Sequence, residues 1–258
     1  TLRLSSTSMR PVLFKIGGFE IHSFGLMLVI GFVLALALAR RRAQRFGLQP
    51  SDAIDLSMWA LIPGVLGARL FFVIQEWESY SKDFASLLKF EGLTSFGGIV
   101  GGFVGIFAWV KIAKKPLLAV LDMIGVPFLL AHAIGRIGCL LNGCCHGGPC
   151  PYPWAVRGEE LSVPVHPAQV YDAFFNVLGI LLVILLERRN LNRGQSFAGV
   201  LVVHGLARFT YEFWRAGTTS TYMGDLPITD AQAMALLVSV VGVGLWLAFK
   251  KRGVYELS

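Results

Sequence analysis

The chain has 258 residues, of which 55% are hydrophobic and only 15% are charged. Soluble globular domains carry about 25% charged residues, so this composition argues against a soluble protein and indicates several membrane spans. The formal net charge of +7 fits either a nucleic-acid surface or the basic cytoplasmic loops of a membrane protein. The distribution of that charge along the chain decides between the two.

Seven apolar segments follow in chain order, each of about 18–24 residues and therefore long enough to cross a hydrocarbon core of about 30 Å. They lie at residues 19–39, 53–75, 96–113, 117–140, 168–186, 196–214 and 231–249. We predict an all-α integral membrane protein, a bundle of about seven transmembrane helices. Residues 1–8 are polar and are interpreted as a tail, not a signal peptide. Residues 9–258 are predicted to form a single seven-span domain with an external loop at 141–165.

The basic residues are unevenly divided between the two sides of this predicted bundle. Thirteen Lys and Arg fall in the loops after spans 1, 3, 5 and 7, against seven in the opposite loops and the N-terminal tail. The positive-inside rule then places the N-terminus outside and the C-terminus in the cytoplasm. No basic surface is left for nucleic acid, and no nucleic-acid partner is expected. The three remaining cations, Arg69, Arg136 and Arg208, lie within spans.

All three intramembrane arginines fall in the outer half of their predicted spans. A charge at mid-bilayer costs about 2.5–3.5 kcal/mol on insertion scales, so such residues usually face a cavity, a partner or the interface. Guanidinium groups match the oxygens of phosphate, and a group of arginines at this depth indicates binding of an anionic lipid headgroup. Two structural alternatives are arginines that reach the interface singly and an Arg–Glu network that joins the helices.

Two spans carry polar residues on one face only. In the sixth span the spacing is 4, 4 and 3, within about 80° of the helix circumference: His204, Arg208, Glu212 and Arg215. In the fifth span the spacing is 3 and 4: Gln169, Asp172 and Asn176. We expect the two faces to share a cavity in which the carboxylates of Asp172 and Glu212 hold the arginines. A third pattern, "GGIVGGFVG" (97–105), indicates close helix packing more strongly than a phosphate-binding loop.

Five separated motifs, in order, resemble the prolipoprotein diacylglyceryl transferase family. They are "IHSFGLMLVIGF" (21–32), "SFGGIVGG" (95–102), "GRIGCLLNG" (135–143), "HPAQVYD" (166–172) and "ARFTYEFWR" (207–215). The resemblance extends from about residue 10 to 250. It implies that the diacylglyceryl group of phosphatidylglycerol moves to the lipobox cysteine thiol of a preprolipoprotein, with release of glycerol phosphate.

The resemblance also implies a place and a set of site residues. The protein is expected in the bacterial cytoplasmic (inner) membrane, as a multi-pass protein among membrane lipids, without a cofactor or a metal. Its partners are phosphatidylglycerol and the lipobox of a preprolipoprotein signal peptide. Catalysis is assigned to Arg136, Arg208 and Glu212, which match the motifs, and to His204, which is chosen for its place on the same helix face as Arg208. Phospholipid binding is assigned to Arg136, Arg208, Arg69, Asn142, Gly97, Gly98 and Arg215.

The chain departs from the family pattern at several polar positions. Cys139 replaces an asparagine and Cys144 an acidic residue, while Phe24 and His204 replace tyrosines. A histidine before the glycine pair of the third span is Phe96 here, which leaves the general base unassigned. His204 is the first candidate, because imidazole titrates near neutrality, although a packed helix histidine is an equal alternative. His146 is the second candidate.

All four cysteines follow Arg136 within one short segment: Cys139, Cys144, Cys145 and Cys150. Three interpretations stay open. An external loop favours disulfides, four thiolates or three with His146 suit zinc, and a place in the active-site segment suits a thiol with a direct role in the reaction.

Two other functions remain possible alongside diacylglyceryl transfer. One is a paralogous enzyme with the same phospholipid-binding core and a different acceptor. The other is a non-enzymatic phospholipid binder or transporter, although a transporter needs polar residues along a full path and here the charges gather on one side.

Overall fold

The computed structural model describes residues 9–16, 19–80, 92, 94–157, 162–216 and 228–255. The long helices are α1 (Ser23–Ala43), α2 (Pro50–Gln75), α4 (Ser95–Ile112), α5 (Leu117–Asn142), α6 (Ala168–Glu187), α7 (Gln195–Tyr211) and α8 (Asp230–Phe249), and a single turn, α3 (Trp77–Tyr80), follows α2. The seven predicted spans correspond to the seven long helices. The predicted all-α membrane class is therefore confirmed, and the tail at 1–8 lies outside the described residues.

Five of these helices are long and apolar enough to cross a membrane, namely those that begin at Ser23, Pro50, Leu117, Ala168 and Asp230. Helix α4 contains a shorter apolar stretch, Phe96–Ile112, and α7 has 17 residues. Apolar side chains point outward along these helices, with Leu66, Phe103 and Val240 among the most exposed. Such exposure suits a surface that lipid covers.

The N-terminal segment differs from the predicted first span, which begins four residues too early. Strands β1 (Val12–Ile16) and β2 (Phe19–His22) form an antiparallel pair, with Lys15 opposite Glu20, and α1 starts only at Ser23. The sequence "VLFKIGGFEIH" joins two short segments by Gly-Gly, a dipeptide typical of two-residue hairpins. The predicted span merged the second strand with the helix, because Phe19 and Ile21 of the strand continue the apolar residues of α1.

The chain divides into two compact units. The first contains the described residues up to Leu38 together with those from Leu121 onward. Its core is formed by Val126 and Leu129 of α5, Val183 of α6 and Val200 of α7, with Leu38 packed against them. Helices α7 and α8 are antiparallel and approach closely, since a Cβ at Gly205 would clash with Ser239 and one at Gly242 would lie 2.8 Å from Val202.

One end of the first unit is fixed by a buried carboxylate. Asp122, at 0% exposure, accepts hydrogen bonds from the backbone N–H groups of Gly194 (2.6 Å) and Phe197 (2.7 Å) and from the hydroxyl of Tyr255 (2.7 Å). Asp122 thereby caps the N-terminus of α7, where unpaired N–H groups need an acceptor. This contact fixes the start of α5, the start of α7 and the C-terminal segment at the same end.

The second unit, Ala39–Val120, is built on α2 and α4. A Cβ at Gly97 would clash with the carbonyl oxygen of Gly67, one at Gly101 with Pro63, and one at Gly105 with Trp59. These three glycines repeat every fourth residue, so they form one face of α4 that allows backbone-to-backbone contact. The packing interpretation of "GGIVGGFVG" is therefore correct.

Candidate active site

Arg136 lies within the last two turns of α5. Its side chain contacts one residue on each of two neighbouring helices, α6 and α7. Its Nε lies 2.5 Å from Oδ2 of Asp172 on α6. Its Nη2 donates a hydrogen bond of 2.9 Å to the hydroxyl of Tyr211 on α7. The Arg136 side chain is 17% exposed and that of Asp172 is 0% exposed. A buried ion pair needs such additional hydrogen bonds to offset the loss of hydration.

Tyr211 contacts both arginines of the site, Arg136 and Arg208. Its ring is buried, with the guanidinium carbon of Arg136 5.2 Å and that of Arg208 4.6 Å from the ring centroid. The face of an aromatic ring attracts a cation. The Tyr211 ring therefore helps to hold both guanidinium groups at this place.

Glu212 forms ion pairs with two arginines, Arg208 and Arg215. Its Oε2 contacts Nη1 of Arg208 and lies 3.5 Å from Nη1 of Arg215. The α-helix stops at Tyr211, and Glu212–Trp214 continues as a 3-10 turn, so the predicted helix to residue 214 was three residues too long. The tighter turn still leaves Glu212 in contact with both arginines.

Asp172 connects Arg136 to two histidines. Oδ2 of Asp172 lies 3.1 Å from Nε2 of His132, while Nδ2 of Asn176 donates to Oδ1 of Asp172 (2.7 Å) and to its backbone carbonyl (2.8 Å). Because the Asn176 amino group faces these oxygens, Oδ1 of Asn176 faces Nδ1 of His204 at 2.9 Å. Nδ1 of His204 is thereby the donor, and a neutral imidazole keeps its lone pair on Nε2.

The arginines of this cluster outnumber its carboxylates. Arg136, Arg208 and Arg215 are paired with only two acidic side chains, Asp172 and Glu212. The three arginine side chains are 17–22% exposed, so an anion can reach them. An anion that approaches this end meets guanidinium N–H groups held in place by buried carboxylates, an arrangement that favours phosphate.

Three other residues that were predicted to bind phospholipid, Asn142, Arg69 and Gly98, are not part of this cluster of arginines and carboxylates. Asn142 is the last residue of α5. In the second unit, Nη1 of Arg69 donates to the carbonyl of Gly92 (3.4 Å), and its guanidinium carbon lies 5.4 Å from the ring centroid of Tyr80. Gly98 lines an open groove with Ala60, Leu61, Gly64, Val65, Ala68 and Thr94. For these residues a role in phospholipid binding stays a prediction.

The loop that follows α5 is more ordered than the sequence suggested. Backbone bridges join Gly147 to Arg215 and Pro149 to Val165, and Gly147 approaches the carbonyl of Trp214 so closely that a Cβ would clash with it. Trp154 donates to the hydroxyl of Tyr171 at 2.8 Å. The loop is thus fixed to the ends of α6 and α7 that carry the charged cluster, and residues 158–161 lie outside the described residues.

None of the four cysteines forms a disulfide in the structure. The sulfurs of Cys139, Cys144 and Cys145 lie within 4.8 Å of one another, while Cys150 is buried outside this group. A hydrogen bond from the Cys139 thiol lowers the pKa of Cys145 to about 5. Cys144 and the positive charges of Arg136 and Arg215 act in the same direction, and burial opposes them.

This low pKa predicts an unusual alkylation profile. In reduced protein the thiolate of Cys145 forms as pH rises through about 5, so its reaction with iodoacetamide should change little between pH 6.5 and 8. An ordinary cysteine, with a pKa of about 8.5, accelerates over that range. Peptide mass spectrometry after short pulses measures the rate, with the unfolded chain as control. A Cys145 rate that rises between pH 6.5 and 8 as steeply as in the unfolded chain would contradict the prediction.

Sequence reasoning missed Tyr211, although the residue stands inside the quoted motif "ARFTYEFWR". It follows Arg208 by three positions, which places both on one helix face. The omission arose because only charged and titratable residues of that face were considered. Tyr211 carries no charge, but its ring contacts the guanidinium groups of Arg136 and Arg208, and its hydroxyl accepts a hydrogen bond from Arg136.

These features define a multi-pass membrane protein with a cluster of arginines and carboxylates where α5, α6 and α7 meet. The chain belongs to the prolipoprotein diacylglyceryl transferase family, whose model matches residues 11–248, and it is a transferase. Relatives named phosphatidylglycerol–prolipoprotein diacylglyceryl transferase are found in several bacteria. That of Lysinibacillus sphaericus is 30% identical over 251 residues (92% of this chain, 90% of the relative), and that of Clostridioides difficile 30% over 253 residues (97% and 99%). The Finegoldia magna protein is 30% identical over 247 residues (95% and 97%).

Proposed function

We propose that the protein transfers the diacylglyceryl group of phosphatidylglycerol to the lipobox cysteine thiol of a preprolipoprotein in the bacterial inner membrane. The observation that carries the proposal is the pair of guanidinium groups, those of Arg136 and Arg208, that contact the Tyr211 ring and are held by the carboxylates of Asp172 and Glu212. The family names supply the substrates, and the geometry supplies a reason why a phosphodiester reacts here.

In the proposed step a thiolate sulfur attacks the carbon of the diacylglyceryl group that carries the phosphate. The new C–S bond forms as the C–O bond breaks, and the electron pair of that bond leaves on the phosphate oxygen. The lipid phosphate is a monoanion as a diester, and the released glycerol phosphate is a monoester with one further negative charge. Arg136 and Arg208 stabilise the charge that develops on the leaving group.

The proposed orientation places the charged cluster at the outer leaflet. The opposite end of the first unit holds basic residues before α7 and after α8, joined where Asn192 donates to the carbonyl of Lys250 (3.1 Å). Basic residues favour the cytoplasm, so the Arg136 end would face the exterior. A signal peptide that crosses the membrane presents its lipobox cysteine near that surface.

We assign the role of general base to His204. Its Nδ1 is fixed as donor to Asn176, which leaves Nε2 with a lone pair on the same helix face as Arg208, one turn away. The thiol proton would pass to this nitrogen, while Asn176 and Asp172 keep the ring in one orientation.

The direct test is an assay with purified full-length protein in detergent. Labelled phosphatidylglycerol and a lipobox peptide are supplied, and glycerol phosphate release and the thioether peptide are both measured. We expect both products in equal amounts, and none with a peptide in which the cysteine is serine. Release of glycerol phosphate without a thioether would indicate a different acceptor. Lipid binding without either product, beside an active family member, would favour the non-enzymatic alternative.

Replacing the proposed base should affect turnover more than binding. His204→Asn removes Nε2 and is expected to lower kcat by about 10²-fold, the usual contribution of general base catalysis, with a small change in KM. The matched control is His22→Asn, because His22 lies on the N-terminal hairpin. A kcat for His204→Asn within a factor of two of the wild type at pH 6–8 would overturn the assignment.

A further inference from the structure

The thiols of Cys139, Cys144 and Cys145 take no part in the reaction described above, yet the fold brings them together. Their sulfur atoms lie within 4.8 Å of one another. Cys139 is in the last turn of α5, and Cys144 and Cys145 lie in the turn after it. We propose that these three cysteines form a thiolate site for a thiophilic d10 cation, of which Zn²⁺ is the commonest example.

The sulfur positions are close to those that such a cation requires. Zn–S bonds are about 2.3 Å long, so three sulfurs on one zinc ion stand about 3.8–4.0 Å apart. The thiols therefore need to approach by no more than about 1 Å, which side-chain rotation provides. A disulfide requires a sulfur separation of about 2.05 Å and a fixed dihedral angle, which is a larger change, and it would leave the third thiol unused.

The backbone of the turn directs all three side chains to one point. The N–H of Cys144 donates to the carbonyl of Cys139 (3.1 Å), and Gln169 of α6 holds the carbonyl of Cys144 at 2.6 Å. Cys145 has a positive φ of 63°, a conformation that is uncommon for residues other than glycine and costs energy. This conformation reverses the chain and returns the Cys145 thiol to Cys139.

The exposure of the three thiols gives a cation a way into the site. Cys139 and Cys144 are half-buried while Cys145 is exposed, so a cation can enter from the Cys145 side and the fourth position stays open to water.

The site connects the end of α5 to the turn that follows it. A bound cation would fix Cys139, three residues after Arg136, to Cys144 and Cys145. It would thereby stabilise the end of the helix that carries the main arginine of the active site. This role is structural and separate from phosphate binding, and it corresponds to the zinc interpretation among the three that the sequence left open.

The test uses the purified full-length protein, reduced, with reductant and metal then removed. Cd²⁺ is added as the spectroscopic probe, since cadmium–thiolate bonds give charge-transfer absorption in the ultraviolet. We expect the band to saturate at one Cd²⁺ per chain and Zn²⁺ to displace it. Cys139→Ser, Cys144→Ser and Cys145→Ser should each abolish the band at one equivalent. Cys150→Ala is the matched control, because Cys150 lies outside the cluster, and it should keep the band.

A second measurement needs no variant and so does not depend on folding of the serine forms. Wild-type protein is alkylated in short pulses with and without Zn²⁺, and each cysteine is read by peptide mass spectrometry. We expect Zn²⁺ to protect Cys139, Cys144 and Cys145 and to leave the rate at Cys150 unchanged. Equal rates with and without Zn²⁺ overturn the proposal. So does a disulfide between two cluster cysteines in freshly isolated protein that re-forms in the presence of Zn²⁺.

Discussion

Replacing Arg136 by glutamine is expected to lower glycerol phosphate release by about 10²–10³-fold, the usual effect of removing one group that stabilises a developing oxyanion. The physical reason is the contact geometry: Arg136 and Arg208 both contact Tyr211, and in the proposed step their guanidinium groups stabilise the charge that develops on the leaving phosphate. Arg136→Lys keeps the charge but loses the planar fork, so we expect an intermediate loss. Arg157→Gln is the matched control, because Arg157 is exposed in the loop after α5.

A double variant distinguishes whether Arg136→Gln loses activity through lost catalysis or through lost stability. Arg136→Gln leaves the buried carboxylate of Asp172 without its cation, and an unpaired buried charge destabilises the fold. The double variant Arg136→Gln/Asp172→Asn removes both charges. We expect its melting temperature in detergent to recover toward that of the wild type while its activity stays low. Full activity in either variant would show that Arg136 does not stabilise the leaving phosphate.

Replacing Asp122 by alanine is expected to lower the melting temperature more than the other stability variants described below. Asp122 lies in the first unit, at the end away from the charged cluster. The substitution leaves two backbone N–H groups and the Tyr255 hydroxyl without their acceptor. Buried donors without partners cost about 1–3 kcal/mol each, though not additively. We expect a total of about 3 kcal/mol, which corresponds to a fall in melting temperature of about 6–10 °C for a chain of this size.

The melting temperatures of two further variants are compared with that of Asp122→Ala. Tyr255→Phe removes only one of the three donors, and we expect a smaller fall of about 2–4 °C. Asp55→Ala removes an exposed carboxylate from α2 and should leave the melting temperature unchanged. Circular dichroism at the helix band during heating in detergent measures all three. A melting temperature for Asp122→Ala equal to that of Asp55→Ala would contradict the role of Asp122 as the cap of α7.

The sequence predicted the helices well because a membrane span leaves a simple signal. About 20 apolar residues in a row are needed to cross the bilayer, and each of the seven predicted spans matches one long helix. The errors fall at ends where that signal is ambiguous. Phe19 and Ile21 were counted with α1 although they lie in a strand, and Glu212–Trp214 continues the polar face of α7 although it is a 3-10 turn.

The candidate site was predictable in part for the same reason. Charged residues are so costly inside an apolar span that Arg136, Arg208 and Glu212 stood out at once. Their helical spacing predicted the contact between Glu212 and the two arginines of its own helix. The pairing of Asp172 with arginine was expected from chemistry, but the sequence did not say that Arg136 rather than Arg208 would be its partner.

By itself, then, the sequence determined the membrane class, the number of long helices, the family and the identity of the charged residues, because each depends on composition or on spacing within one segment. Only the tertiary structure decided which groups meet across segments. It brought Arg136 and Arg208 to the ring of Tyr211, joined His204 to Asp172 through Asn176, and gathered the thiols of Cys139, Cys144 and Cys145. These contacts depend on how helices pack and how a turn reverses, and residues distant in sequence carry no local pattern that records them.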